Sequence, residues 1–167
     1  MVSGDCFRFK DEASVTTYTV SLLANFFQAQ MIEAGMSFSQ KTVFSHPGKV
    51  EALRQAKARG FRTYLYFVAT ESLALNIGRV RQRTQSGGHD VPVEKIAQRY
   101  FRSLTQVAPA LKWTSRAFFF DNSGESMRFL AEYAEGTGLR LETHPKALPV
   151  WVRQHVQDIA VPTDGEC

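Results

Sequence analysis

The chain has 167 residues, with 20 Lys and Arg against 16 Asp and Glu, a formal net charge of +4, 44% hydrophobic and 22% charged side chains. That is about one domain's length at an ordinary globular composition, which excludes a disordered or low-complexity chain. The longest unbroken apolar run, Tyr64–Ala69, is far short of the roughly 18 residues of a membrane span. The charged first dozen residues lack a signal-peptide core, and Cys6 and Cys167 form neither a metal-ligand spacing nor a disulfide framework, so a cytoplasmic protein with no membrane partner is expected.

In chain order, Val15, Tyr18, Leu22, Leu23, Phe26, Phe27 and Met31 recur at spacings of three and four and predict a helix over 14–34, stopped by Gly35. A short strand is predicted within 37–45, around Val43 and Phe44. Ser45 can then cap a second helix, with Pro47 in the first turn, where its missing N–H costs nothing, and Gly60 at the end. His46 fits that cap turn better than a ligand role. Residues 62–70 predict a strand. The unbroken run from Tyr64 to Ala69 is the pattern of a strand buried on both faces. Helices over 72–84 and 93–107 flank a loop at 85–92; the second directs Val93, Ile96, Ala97, Tyr100, Phe101, Leu104 and Val107 inward. Ala117 to Asp121 is a further apolar strand, closed by the turn Asp121-Asn122-Ser123-Gly124. A helix near 125–134, a strand near 139–143 and a helix around 147–157 complete the prediction. Strands alternating with helices imply an α/β fold with a mostly parallel sheet, whose ligands bind outside the carboxyl ends of the strands.

Charge is unevenly distributed. Residues 51–105 carry ten basic and four acidic side chains, whereas residues 1–50 balance at four of each. Such a surplus suits an anionic partner or a solvated helix face. No Walker pattern is present. Around Gly48-Lys49 the required glycine is Val43 and the required Ser or Thr is Val50. HExxH, GxSxG and clustered His/Cys sets are absent from the sequence. Arg79 and Arg83 lie four apart on one helix, and Lys95, Arg99 and Arg102 line the next. The Gly87-Gly88-His89-Asp90 loop joins them. Helix, glycine loop and helix with arginine on both sides is how a lid over a polyphosphate can be built.

Several stretches taken together resemble the zeta-toxin family of P-loop kinases. They are Met36 to Pro47, Gly60 to Glu71, Asn76-Ile77 with Arg79-Val80, Gly87-Gly88-His89-Asp90-Val91-Pro92, Arg99-Tyr100 with Arg102-Ser103-Leu104, and Asp121-Asn122-Ser123-Gly124. The resemblance implies a partial P-loop kinase-like, three-layer αβα domain over residues 1–160. It would have a mostly parallel sheet lacking the first strand and the phosphate loop, and a frayed tail at 161–167. It further implies an ATP- or GTP-dependent small-molecule kinase using Mg²⁺, with an acceptor like UDP-N-acetylglucosamine, restrained in the family by an antitoxin. By position, Arg79, Arg83, Arg99 and Arg102 would contact phosphate, and Gly87, Gly88, His89 and Asp90 would shape the lid. Thr42 and Ser45 would border the acceptor, and Asp121 and Asn122 the nucleotide.

Two departures accompany the resemblance. The family's Walker loop and acidic catalytic base have no counterpart here, and Lys41 stands where the family has Glu. Phosphoryl transfer by this chain alone is therefore expected to be weak or absent without a separate N-terminal fragment, because positioning and charge stabilisation supply most of the rate. The alternative is a non-catalytic binding module. Nucleic-acid binding through the basic middle lacks interleaved aromatics or a module signature.

Overall fold

The computed structural model describes residues 16–88 and 90–156; His89 and the tail at 161–167 lie outside them. The chain divides into two compact units, residues 1–39 and 40–167. The described part of the first is a single helix, α1 (Thr17–Glu33), opened by Thr16, whose hydroxyl accepts from the Thr19 N–H at 3.1 Å. It closes through Met36, whose N–H donates to the Met31 carbonyl at 2.9 Å around Gly35.

The second unit runs α2 (Pro47–Ala58), β1 (Tyr64–Ala69), α3 (Leu73–Gln85), α4 (Val93–Thr105), α5 (Val107–Leu111), β2 (Arg116–Asp121), β3 (Arg128–Ala134), β4 (Gly138–Leu141) and α6 (Val150–His155). Local signals account for the helix ends. His46, not Ser45, is the N-cap of α2; its Nδ1 accepts from the Gly48 N–H at 3.0 Å. Helix α3 ends in a Schellman motif. The Gly87 N–H donates to Thr84 O at 3.0 Å and the Gly88 N–H to Arg83 O at 2.9 Å, with Gly87 at φ 87°. A Cβ on Gly88 would sit 2.7 Å from the Arg83 carbonyl oxygen. The paired glycines therefore close α3 at the start of the loop predicted over 85–92.

Strand order is β1-β2-β3-β4, with β1 parallel to β2 and the other two pairs antiparallel. The predicted mostly parallel sheet is corrected here, and the reason is loop length. Parallel neighbours need a long crossover, which α3 to α5 provide between β1 and β2. The segment after Asp121 is too short for one, and Glu135 to Thr137 makes a hairpin turn, with Gly136 at φ 78° and Thr137 N–H donating to Ala134 O at 3.1 Å. The helix predicted near 125–134 is strand β3, because pairing with β2 overrides a short, ambiguous apolar pattern. The predicted strand at 37–45 does not form. Val43 is exposed, and Phe44 adopts φ 57°, turning its ring against Phe67 at a centroid distance of 6.4 Å.

Among the described residues of this unit, helices cover one face of the sheet, so the expected three layers reduce to two there. Leu65, Phe67, Ala117 and Phe119 bury one sheet face under Leu104 of α4, Val107 and Leu111 of α5, and Trp151 and Val152 of α6, with Val50 and Leu53 of α2 packed alongside. The opposite face carries Tyr64, Tyr66 and Val68, all exposed, beside Phe118, Phe120 and Phe129. β1 thus alternates between covered and uncovered residues, although its sequence is continuously apolar. On α4, Ile96 and Leu104 are buried as predicted, but Val93 and Phe101 are exposed.

Candidate functional site

The crossover gives the sheet a parallel pair, and the carboxyl ends of β1 and β2 meet in one polar cluster. The Asn122 N–H donates to Ala69 O at 2.8 Å, closing the ladder. Asp121 is buried at the end of β2. Its Oδ1 accepts from the Ser123 N–H at 3.1 Å and from Ser123 Oγ at 2.5 Å, and its Oδ2 faces Arg128 Nη2 at 3.4 Å. Ser123 Oγ in turn accepts from the Glu71 N–H at 2.7 Å, tying the exit of β1 to the exit of β2. Arg79 of α3 reaches over this turn, its Nη2 donating to Gly124 O at 3.4 Å. Tyr100 of α4 donates from its hydroxyl to Thr70 O at 3.0 Å.

These contacts fix where the helices stand. α3 starts at the carboxyl edge, capped by Ser72, whose hydroxyl accepts from the Leu75 N–H at 3.3 Å. Tyr100 meets the same edge from the middle of α4, so the first turns of α4 and the body of α3 overhang the strand ends. α2 brings its N-terminal end to the same side. Near its C-terminal end, Lys57 bonds Ser115 Oγ at 3.0 Å, at the opposite, entry end of β2. Thr42 (exposed) and Ser45 (half-buried) precede that α2 terminus, and burial pulls the Lys49 ammonium below its ordinary pKa.

Of the residues singled out in the sequence, Asp121, Asn122 and Arg79 converge on the turn. Arg83 lies one helical turn further along α3, exposed, with its backbone carbonyl engaged by Gly88. Arg99 is exposed beside Tyr100. Arg102, at about 200° around the helix from Tyr100, is exposed on the far side of α4. Asp90 is exposed. Among the described residues, no carboxylate lies within ion-pair distance of Arg79, Arg83, Arg99 or Arg102. Arg128 and Tyr100 enter the cluster without having been singled out for it. Arg128 was hidden by the helix reading of 125–134; the six-residue spacing from Asp121, too short for a crossover, is the signal that could have revealed it.

The cluster offers guanidinium donors and backbone groups around a carboxylate that is already engaged. Such an arrangement can hold a phosphate or carboxylate ligand through arginine forks. It has no free acidic set for a cation. Among the described residues no group of three His, Cys, Asp or Glu could hold a metal ion, and both Asp121 oxygens are taken.

Burial first, and the Glu71 charge second, raise the Tyr100 phenol above its ordinary pKa. A tyrosine in the unfolded chain titrates near pH 10. The protonated phenol therefore contributes stability that is fully present below about pH 10 and is lost as pH rises through its folded value. Tyr100→Phe is expected to remove this alkaline loss and to cost about 1 kcal/mol at neutral pH for the missing hydrogen bond. Urea midpoints measured from neutral to strongly alkaline pH check both; an unchanged alkaline slope in the variant counts against the assignment.

No protein-family model matches the chain, and no solved structure matches it. It is 25% identical over 69 residues to an uncharacterized protein of Haemophilus influenzae, an alignment covering 41% of this chain and 49% of that protein. The chain thus spans about half the length of that relative. Among the described residues, no helix is long and apolar enough to cross a membrane.

Proposed function

We propose that the crevice at the carboxyl ends of β1 and β2 binds a phosphate-bearing small molecule, as the acceptor-and-lid part of a zeta-toxin-like small-molecule kinase. The observation that carries this reading is Arg79, held across the Asp121–Gly124 turn at the end of the parallel β1–β2 pair, where ligands of α/β sheets bind. The resemblance of the 87–92 loop and the Arg99 to Leu104 stretch supports the same reading, as does the overhang of α3 and α4 that carries them.

The residues present do not fit a magnesium–triphosphate site. There is no phosphate loop in the sequence, and the one buried carboxylate at the turn is spent on Ser123 and Arg128. No transfer step is therefore written for this chain. Its own residues bind and orient: Arg79 pairs with a phosphate oxygen, and Ser123 and Asp121 keep the turn that carries Gly124 O in place. A second reading, a binding module without turnover, is favoured by the absent Walker pattern and by the cation at Lys41.

Calorimetry of the purified chain with ATP, GTP and UDP-N-acetylglucosamine tests both. At least one is expected to bind, with affinity falling about tenfold in Arg79→Ala, the loss of one charge-assisted contact. No measurable binding by any of the three overturns the first reading. Hydrolysis of ATP by the chain overturns the second.

A further inference from the structure

Independently of what the crevice binds, the outer edge of β1 is built to pair. Parallel ladders engage alternate residues of a strand. Thr63 O accepts from the Arg116 N–H at 3.2 Å and Ala69 O from the Asn122 N–H at 2.8 Å, so the odd-numbered residues face β2. The N–H and C=O groups of Tyr64, Tyr66 and Val68 consequently point to the other side, where no strand pairs with them among the described residues. Proteins guard such edges with charge, proline or a bulge. β1 has none of these: it reads Tyr-Leu-Tyr-Phe-Val-Ala in regular register. Its side chains on the open face are unburied too, Tyr66 at 65% and Val68 at 47% exposure.

We infer that two copies of this chain associate through β1, antiparallel about a two-fold axis at Tyr66, into one continuous eight-stranded sheet. The edge is self-complementary in that register. Tyr66 exchanges both backbone hydrogen bonds with the partner's Tyr66, and Tyr64 does so with the partner's Val68, so every outward group of the strand is used. Cross-strand neighbours on the open face are then aromatic with aromatic or β-branched, a favourable pairing, with no like charges opposed. Closed two-fold dimers are the commonest protein assembly.

Sedimentation equilibrium of the full chain is expected to give twice the monomer mass at tens of micromolar. Val68→Pro removes only an outward N–H and leaves the bonds to β2 intact; it is expected to weaken the dimer at least tenfold with an unchanged circular-dichroism spectrum. Register is read by disulfide formation in a Cys6→Ser, Cys167→Ser background. Tyr66→Cys lies about 5.5 Å from its own copy across the axis, within disulfide reach, and is expected to cross-link on oxidation. Tyr64→Cys lies about 14 Å from its copy, four residues at roughly 3.3 Å each along the ladder and about 5.5 Å across it, and is expected not to. Monomer at every concentration, a dimer indifferent to Val68→Pro, or equal cross-linking at both positions would each overturn the inference.

Discussion

Phe119→Ala is expected to destabilise the protein by about 3–5 kcal/mol, the usual cost of deleting a fully buried phenylalanine ring. Phe119 sits at 0% exposure in the centre of β2, its ring tilted against Phe67 at a centroid distance of 6.4 Å. Removing it opens a cavity between the sheet and the helices that cover it. Total stabilities of about 5–15 kcal/mol are usual, so this single change consumes a large part of the margin. The informative control is its neighbour. Phe118 points to the open face, where it stacks on Tyr66 at 4.9 Å. Phe118 is half-buried, and Phe118→Ala is expected to cost less, about 1–2 kcal/mol, because its ring stays in contact with water and its removal opens no enclosed cavity. Denaturant titrations of the two variants measure the asymmetry of the sheet directly. Equal losses would mean that both faces are covered in solution and that the two-layer description is wrong.

Asp121→Ala is expected to cost about 2–3 kcal/mol, and a melting temperature lower by roughly 5–10 °C, through loss of hydrogen bonds to a buried carboxylate. The turn at the end of β2 depends on it. Without the carboxylate, the Ser123 N–H and hydroxyl lose their acceptor, and Ser123 is no longer held where its Oγ receives the Glu71 N–H. The exits of β1 and β2 then come apart, and Gly124 O moves away from Arg79. Ligand binding at the crevice should fail with it. Asp121→Asn separates the two contributions. Its amide oxygen still accepts from Ser123, so stability should fall by less than about 1 kcal/mol, while the partner of Arg128 is lost. That ion pair is half exposed on the arginine side and long at 3.4 Å, which makes it worth little by itself. If the asparagine variant is as unstable as the alanine variant, the charge rather than the turn is the important element.

Surface ion pairs elsewhere follow the same logic. Arg54, with help from Gln55, holds the exposed Glu51 carboxyl down to about 2. Glu132 is held low first by Arg116 and then by Arg140. The latter group spans β2, β3 and β4 on the open face and borders the aromatic patch with opposite charges. It organises the edge of that patch without burying it.

Much of this molecule was legible in its residues because the deciding interactions are short in sequence. Gly35 and Gly60 end helices where they were predicted to, since a left-handed residue and its hydrogen bonds involve only the preceding turn. Pro47 opens α2, and the apolar runs at 64–69 and 117–121 became β1 and β2. The Asp121-Asn122-Ser123 turn was visible for the same reason. What tertiary structure alone decided is which partners those elements meet. Strand direction after Asp121 follows from loop length and pairing with β2, not from the composition of 128–134. Ser123 became the hinge pin of the site only because it meets Glu71, 52 residues away. The unbroken apolar run of β1 asked for cover on both faces, and among the described residues of its unit folding supplied it on one: hydrophobicity records what a strand can bury, whereas burial is settled by the elements that the chain brings to each side.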